Sequence, residues 1–102
     1  MSKTKTNPLL SEPELETVAV RFRALGEPMR LRILQAVCHQ PRTVNEIVEA
    51  VDSGQANVSK HLAVLAAAGI LIRQRDGQRV IYSMKDSLVL KLCKTVREHL
   101  NA

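Results

Sequence analysis

The stretch SGQANVSKHLAVLAAAGIL, residues 53–71, decides the fold of this chain. Its apolar residues Val58, Leu62 and Leu65 recur at spacings of four and three, which places them on one face of a predicted helix. The pattern predicts a helix with a buried back and a polar N-terminal end. Five hydrogen-bonding side chains lie near that end: Gln55, Asn57, Ser59, Lys60 and His61.

The residues just before this helix predict a helix-turn-helix. Thr43 and Glu46 form a capping-box pattern, so a short helix is expected over 43–51. Asp52-Ser53-Gly54 then reads as a tight turn. Two short helices joined by a short turn that contains glycine are typical of the helix-turn-helix.

Two more helices are predicted upstream. Ser11 begins a second capping-box pattern, so a first helix is expected over 12–25. A second helix is expected over 28–39, with Arg30 and Arg32 on the side away from its apolar face.

The hydrophobic period changes after Gly69. The segments LIRQR and QRVIYSM are strand-like, and Asp76-Gly77 between them is a strong signal for a two-residue hairpin turn. A small β-hairpin therefore follows the quoted helix.

A last helix is predicted over 87–100, with Asp86 and Ser87 as its cap. The order of elements is that of a mainly α domain with a small β-hairpin, the winged helix-turn-helix. Residues 1–10 are expected to form a flexible arm, and residues 11–102 a single domain.

Composition narrows the class of partner. The net charge is +5, with a pI near 9.7, which suits a polyanion. Between Ser53 and Lys85 there are five cations and one acid, so the charge is concentrated near the quoted helix and the hairpin. Aromatic residues make up only 2%, which argues against a base-stacking surface for single strands.

Composition also bears on location. The chain has no apolar run near the ~20 residues of a membrane span, and residues 1–10 lack the apolar core of a signal peptide. A cytoplasmic protein without membrane contact is expected. In that setting two cysteines do not predict a structural disulfide.

The polar end of the quoted helix suits the major groove of double-stranded DNA, which admits one α-helix and presents distinguishable base edges. Gln and Asn side chains can bind adenine in a bidentate manner, and hairpin arginines can reach the backbone or the minor groove. The alternative is a solvated helix face and a charged hairpin that do not contact DNA. For His61 a partly packed, structural histidine is a further alternative. The predicted DNA-binding residues are Gln55, Asn57, Ser59, Lys60, His61, Arg73, Arg75 and Arg79.

Three motifs together resemble the ArsR/SmtB family of bacterial repressors: RALGEPMRLRIL, NVSKHLAVLAAAGIL and RQRDGQRVIYSM. The resemblance covers about residues 15–100. It implies a homodimer formed through the first and last helices, binding to a palindromic operator, and release of that operator when an effector binds.

The resemblance also allows the metal sites of the family to be checked. The cysteine pair of one family site is missing from the predicted helix over 43–51. A second family site is matched only by Asp86 and His99, because Leu88 and Ala102 occupy its other two positions. Zinc normally takes about four ligands, so no metal and no cofactor are predicted, and Asp86 is expected to cap the last helix.

Thiol chemistry is the third effector hypothesis. Some relatives sense persulfides or oxidants through one cysteine on the second helix and one on the last, and this chain has Cys38 and Cys93 on those helices. Both are offset by about one to two turns from the positions used in those relatives. The alternative is two buried structural cysteines. Lys94 and Arg97 near Cys93 would favour a reactive thiolate.

Other function classes fit less well. The sequence contains no nucleophile–base pair, no set of metal ligands and no phosphate-binding loop that would predict an enzyme. A winged-helix module that binds another protein would carry a neutral or acidic recognition face, whereas Lys60 and the hairpin arginines are basic. A regulator that responds to a small organic ligand, or to no ligand, is equally compatible with the sequence.

Overall fold

The computed structural model describes residues 9–101, and most of the predicted arm over 1–10 lies outside that range. Five helices and a small antiparallel sheet confirm the mainly α winged helix-turn-helix. No helix in the described range is long and apolar enough to cross a membrane. The elements are α1 (Glu12–Leu25), α2 (Pro28–Val37), β1 (Arg42–Thr43), α3 (Val44–Val51), α4 (Gln55–Ala67), β2 (Leu71–Asp76), β3 (Arg79–Met84) and α5 (Leu88–Leu100).

Both predicted capping boxes are present. The backbone N–H of Ser11 donates to Glu14 Oε1 over 2.8 Å, and Glu14 N–H donates back to Ser11 Oγ over 3.3 Å. Thr43 and Glu46 repeat the arrangement at 2.8 and 3.2 Å at the start of α3. The donated backbone N–H stabilises each carboxylate and so lowers the pKa of Glu14 and of Glu46. These boxes fix where α1 and α3 begin.

The turn between α3 and α4 begins with a residue in the left-handed conformation. Asp52 adopts the left-handed conformation at the end of α3, with φ of 54°, which aspartate tolerates better than most residues.

At the other end of α4, Gly69 has φ of 77°, and the N–H of Ile70 donates to the carbonyl of Leu65 over 3.0 Å. The glycine therefore ends α4 where the sequence predicts.

The sheet differs from the prediction in two details. It has three strands in the order β1-β3-β2, because the short β1 pairs with β3 before α3 begins. The turn of the hairpin is Gly77-Gln78 and not Asp76-Gly77, because Asp76 pairs with Arg79 as the last rung of the ladder. Gly77 has φ of 66° at the first turn position, as in a type II′ turn.

One hydrophobic core joins α2, α3, α4 and the sheet. The side chains of Val58, Leu62 and Leu65 on α4 are 0% exposed, as are Ile33 on α2 and Ile47 on α3. Burial of each such side chain contributes about 1.5–3 kcal/mol. The face of α4 that points outward is therefore fixed by the face that is buried.

The outer helices α1 and α5 are poorly covered. Ala24 is the one fully buried residue of α1, and Val89 that of α5. All residues of α5 from Lys91 to Leu100 are exposed. The radius of gyration is 16.4 Å, against about 13 Å for a compact chain of 100 residues.

Candidate nucleic-acid interface

The outward face of α4 carries four of its five predicted contact residues. Gln55, Asn57, Ser59 and Lys60 are all exposed. The amide nitrogen Nδ2 of Asn57 donates to Ser53 Oγ over 3.0 Å, which orients that side chain. No acidic residue occurs in α4, so Lys60 makes this face basic. Gln55, the first residue of α4, follows Gly54, which has no side chain to cap the first backbone N–H groups of the helix.

His61 is the exception and corrects the prediction. Its side chain is 7% exposed and turns into the molecule beside Leu62, so it is not part of the outward face. Its Nδ1 lies 3.2 Å from Nη1 of Arg30. A guanidinium only donates, so this contact requires Nδ1 as acceptor and the proton on Nε2.

The hairpin of β2 and β3 is the wing, and its three arginines occupy both of its faces. Side chains in register across a ladder share a face. Arg73 is in register with Tyr82, and Arg75 with Val80, so Arg73 and Arg75 lie on one face. Arg79 lies on the opposite face, where its Nη2 is 3.5 Å from Asp76 Oδ2.

Arg79 is the wing arginine that shares a surface with the beginning of α4. A groove of about 290 Å³ lies between the N-terminal ends of α3 and α4 and the wing, and both Gln55 and Arg79 line it. The Arg79–Asp76 pair is exposed, at 65% and 68%, and such pairs contribute only about 0–1 kcal/mol. Arg79 can therefore exchange this carboxylate for another anion at little cost.

The chain matches a known family model over residues 27–73, described as "Bacterial regulatory protein, arsR family". It is 39% identical over 82 residues to a probable mercury resistance operon repressor of Streptomyces lividans, covering 80% of this chain and 66% of that one. It is 34% identical over 89 residues to the uncharacterized HTH-type transcriptional regulator Rv0081 of Mycobacterium tuberculosis, covering 86% of this chain and 78% of that one.

Solved structures agree. The crystal structure of Rv0081 superposes with a TM-score of 0.76, covering 89% of this chain and 92% of that one at 34% identity. A homodimeric winged helix-turn-helix DNA-binding domain of Mycobacterium bovis, a possible ArsR-family regulator, superposes with a TM-score of 0.78 at 26% identity, covering 93% of this chain and 91% of that one.

The chain belongs to the ArsR family. It is therefore a DNA-binding transcriptional regulator of the ArsR/SmtB type, and the family is one of regulators and not of enzymes. The chain spans just under two thirds of the Streptomyces repressor and about three quarters of Rv0081.

The two cysteines of this ArsR-family chain line the same groove, between α2 and α5. Cys93 is exposed and Cys38 is half-buried, so two fully buried cysteines are not what the structure contains. The thiol of Cys38 donates to the carbonyl of Gln35 over 3.2 Å. Both thiols are free.

The predicted remnant of a metal site has another role. Asp86 Oδ1 accepts the N–H of Leu88 over 3.0 Å and so satisfies the first backbone donor of α5, whereas Ser87, the other predicted cap, makes no capping hydrogen bond with its side chain. His99 is exposed in the last turn of α5, where a positive charge is favourable. Within residues 9–101 no three His, Cys, Asp or Glu side chains come close enough together to hold a metal ion.

Arg30 is the residue that sequence reasoning missed, because its predicted outward position on α2 is wrong. Its Nε donates to the carbonyl of Ala24 over 2.7 Å, and its Nη2 donates to the carbonyl of Arg23 over 3.3 Å. Its Nη1 contacts His61, as described above. Arg30 thus caps the end of α1 and ties it to the recognition helix α4.

Replacement of Arg30 by lysine tests this role. Lysine keeps the charge but cannot span three acceptors with a planar fork, so we expect a loss of about 1–3 kcal/mol in the free energy of unfolding. Urea denaturation followed by circular dichroism measures the change. Arg32→Lys, on the exposed side of α2, is the matched control and should change stability by less than about 0.5 kcal/mol. Equal stability of the two variants would show that Arg30 does not hold the helices together.

Proposed function

We propose that the protein is a homodimeric transcriptional repressor that binds a palindromic operator and is released from it by an effector. The observation that supports DNA reading is the exposed polar face of α4, set on a back that is completely buried. A helix held so rigidly presents the same side chains to each duplex, as sequence-specific reading in the major groove requires.

The roles of the contact residues follow from their positions. Gln55 and Asn57, near the N-terminus of α4, are assigned to base edges, and Ser59 and Lys60 to base edges or phosphates. Arg79 is assigned to a phosphate beside the head of α4, since it lines the groove that Gln55 also lines. Arg73 and Arg75, on the other face of the wing, are assigned to the backbone or the minor groove.

Salt dependence distinguishes side chains that bind phosphates from side chains that read base edges. In a dimer, Arg79→Gln leaves two phosphates without their cation. The negative slope of log K against log salt concentration should therefore become shallower by about 0.9 for each of these phosphates. Gln55→Ala should leave that slope unchanged and should relax base preference. Fluorescence anisotropy with a duplex selected from a randomised pool measures both quantities.

Lys91→Gln is the control for this experiment, because Lys91 is an exposed cation on α5 that does not line the groove shared by Gln55 and Arg79. It should leave both affinity and salt slope at the wild-type values. An unchanged slope for Arg79→Gln, Arg75→Gln and Arg73→Gln together would remove the wing from the interface.

The dimer is supported by the apolar residues that α1 and α5 leave in water. On α5, four of them recur every four residues and so form one stripe. A helix of 13 residues with so little cover is marginal in water, and a partner surface would stabilise it. The exposed apolar side chains of the two helices are Leu15 (45%), Val20 (41%), Phe22 (60%), Leu88 (55%), Leu92 (38%), Val96 (57%) and Leu100 (76%).

A two-fold dimer places two copies of α4 on the same side of the duplex. Their separation would match about one turn of DNA, ~34 Å, so the operator would be an inverted repeat.

A charge in the apolar stripe tests the dimer. Val96→Glu should convert the protein into a monomer of 11.3 kDa in sedimentation equilibrium, because a carboxylate would be desolvated in the interface. DNA affinity should fall with it, since one recognition helix binds weakly alone. Lys91→Glu adds an acid about 140° around the same helix from Val96 and should remain dimeric. A Val96→Glu dimer would exclude this stripe as the interface.

Thiol oxidation is the effector mechanism that one further observation favours. Cys38 and Cys93 line one groove, and the exposed Cys93 has Lys94 and Arg97 beside it in that groove. With a peroxide as oxidant, the two thiols would lose two hydrogens to form a disulfide, and the peroxide would be reduced to two molecules of water. A bond between α2 and α5 would then change the geometry of the dimer.

Operator binding before and after oxidation tests this mechanism. Treatment with hydrogen peroxide should lower operator affinity, dithiothreitol should restore it, and Cys38→Ser or Cys93→Ser should each abolish the response. Anisotropy measures affinity, and mass spectrometry of peptides identifies the disulfide. Equal affinity of reduced and oxidised protein would leave the cysteines without a sensing role.

A further inference from the structure

The groove between α2 and α5 has an apolar floor. Its volume is about 530 Å³. Leu34 and Val89, which are 2% and 6% exposed, are the most buried of its lining residues, and Leu31 and Leu90 also line it. A space of this size with apolar walls can take the body of a small organic molecule.

The rim of the groove is basic. Lys94 and Arg97 from α5 and His39 from the end of α2 line it. None of the lining residues in the described part of the chain is an aspartate or a glutamate. Lys94 and Arg97 therefore have no carboxylate of their own in the groove and are available to an anion.

We propose that this groove binds an organic anion with an apolar body and a carboxylate head, and that this ligand is an effector of the protein. The apolar body lies against Leu34 and Val89. Arg97 binds the carboxylate through its planar fork, and Lys94 adds a second positive charge.

The groove is separate from the stripe assigned to the dimer. Leu90, Cys93 and Arg97 follow spacings of three and four and so share one face of α5. Leu88, Leu92 and Val96 form the neighbouring face. A ligand in the groove thus touches the face of α5 that adjoins the apolar stripe assigned to the partner subunit.

The other wall of the groove is α2, which belongs with α3 and α4 to the part of the molecule assigned to DNA. The helix α2 packs on both α3 and α4. A ligand between α2 and α5 therefore lies between the helices assigned to DNA binding and the helix assigned to the dimer interface. In that position it can change the separation of the two copies of α4 in a dimer. This effector role rests on the proposed function, whereas binding in the groove does not.

The two cysteines report occupancy of the groove directly. The uncharged reagent N-ethylmaleimide alkylates Cys38 and Cys93 at rates that mass spectrometry can follow separately. Decanoate, used below its micellar concentration and at about ten times its Kd, should slow both rates about tenfold, because only the empty groove reacts. Decyltrimethylammonium has the same chain with the opposite charge and should protect little.

Variants of the rim test the charge assignment. The double variant Lys94→Gln/Arg97→Gln should raise the half-protecting concentration of decanoate by roughly tenfold or more. Lys91→Gln removes a cation of α5 that does not line the groove and should leave it unchanged. Equal protection by the cationic amphiphile, or no difference between the double variant and Lys91→Gln, would overturn the proposal.

Operator anisotropy separates this inference from the function on which it rests. Decanoate should lower operator affinity in the wild type and not in the double variant. Protection of the cysteines without any change in operator affinity would overturn the effector role. Failure of the ligand-free protein to bind any DNA sequence selectively would instead overturn the proposed function, while the alkylation result would still decide whether the groove binds the anion.

Discussion

The burial of one face of α4 is the constraint on which the rest depends. Val58, Leu62 and Leu65 are completely removed from solvent against α2 and α3, so the rotation of α4 about its axis is fixed. That rotation decides that Gln55 points outward and His61 inward. A rotation of α4 by one residue position, about 100°, would carry the apolar side chains out of the core, and it would cost about 1.5–3 kcal/mol for each of them. The reading surface is thus set by packing and not by the polar residues themselves.

Helix ends are tied together by arginines from the next element. Arg30 donates to the last carbonyls of α1, and Arg42 Nε donates to the carbonyl of Ala36 in the last turn of α2 over 3.1 Å. Each arginine lies six residues after its nearest acceptor, across a turn, so the hydrogen bond links consecutive elements. Arg30 also reaches His61 on α4. These arginines therefore hold the ends of α1 and α2 against the elements that follow them.

The sequence predicts the elements that local rules control. Capping residues place the starts of α1 and α3, and period-four apolar spacing finds the buried back of α4. It does not predict β1, since two residues carry no periodicity, nor the shift of the hairpin turn to Gly77-Gln78, because the ladder continues to Asp76 and Arg79. The predictions for Arg30 and His61 are wrong for a common reason. The two side chains are partners across 31 residues of chain, and no helical spacing encodes such a pairing.

The packing divides the chain into a rigid part and a weakly held part, and this division limits how DNA binding can be regulated. Turning α4 would require the fully buried core to repack. Moving α5 relative to α2 would not, because Val89 is the one fully buried residue of that helix within its own subunit. An effector of modest affinity supplies only a few kcal/mol of differential binding. Such a ligand can shift α5, and with it the spacing of two subunits, but it cannot reorient the recognition helix within one subunit. The site of regulation is therefore expected where α5 meets α2, which is where the groove with the two cysteines and the basic rim lies.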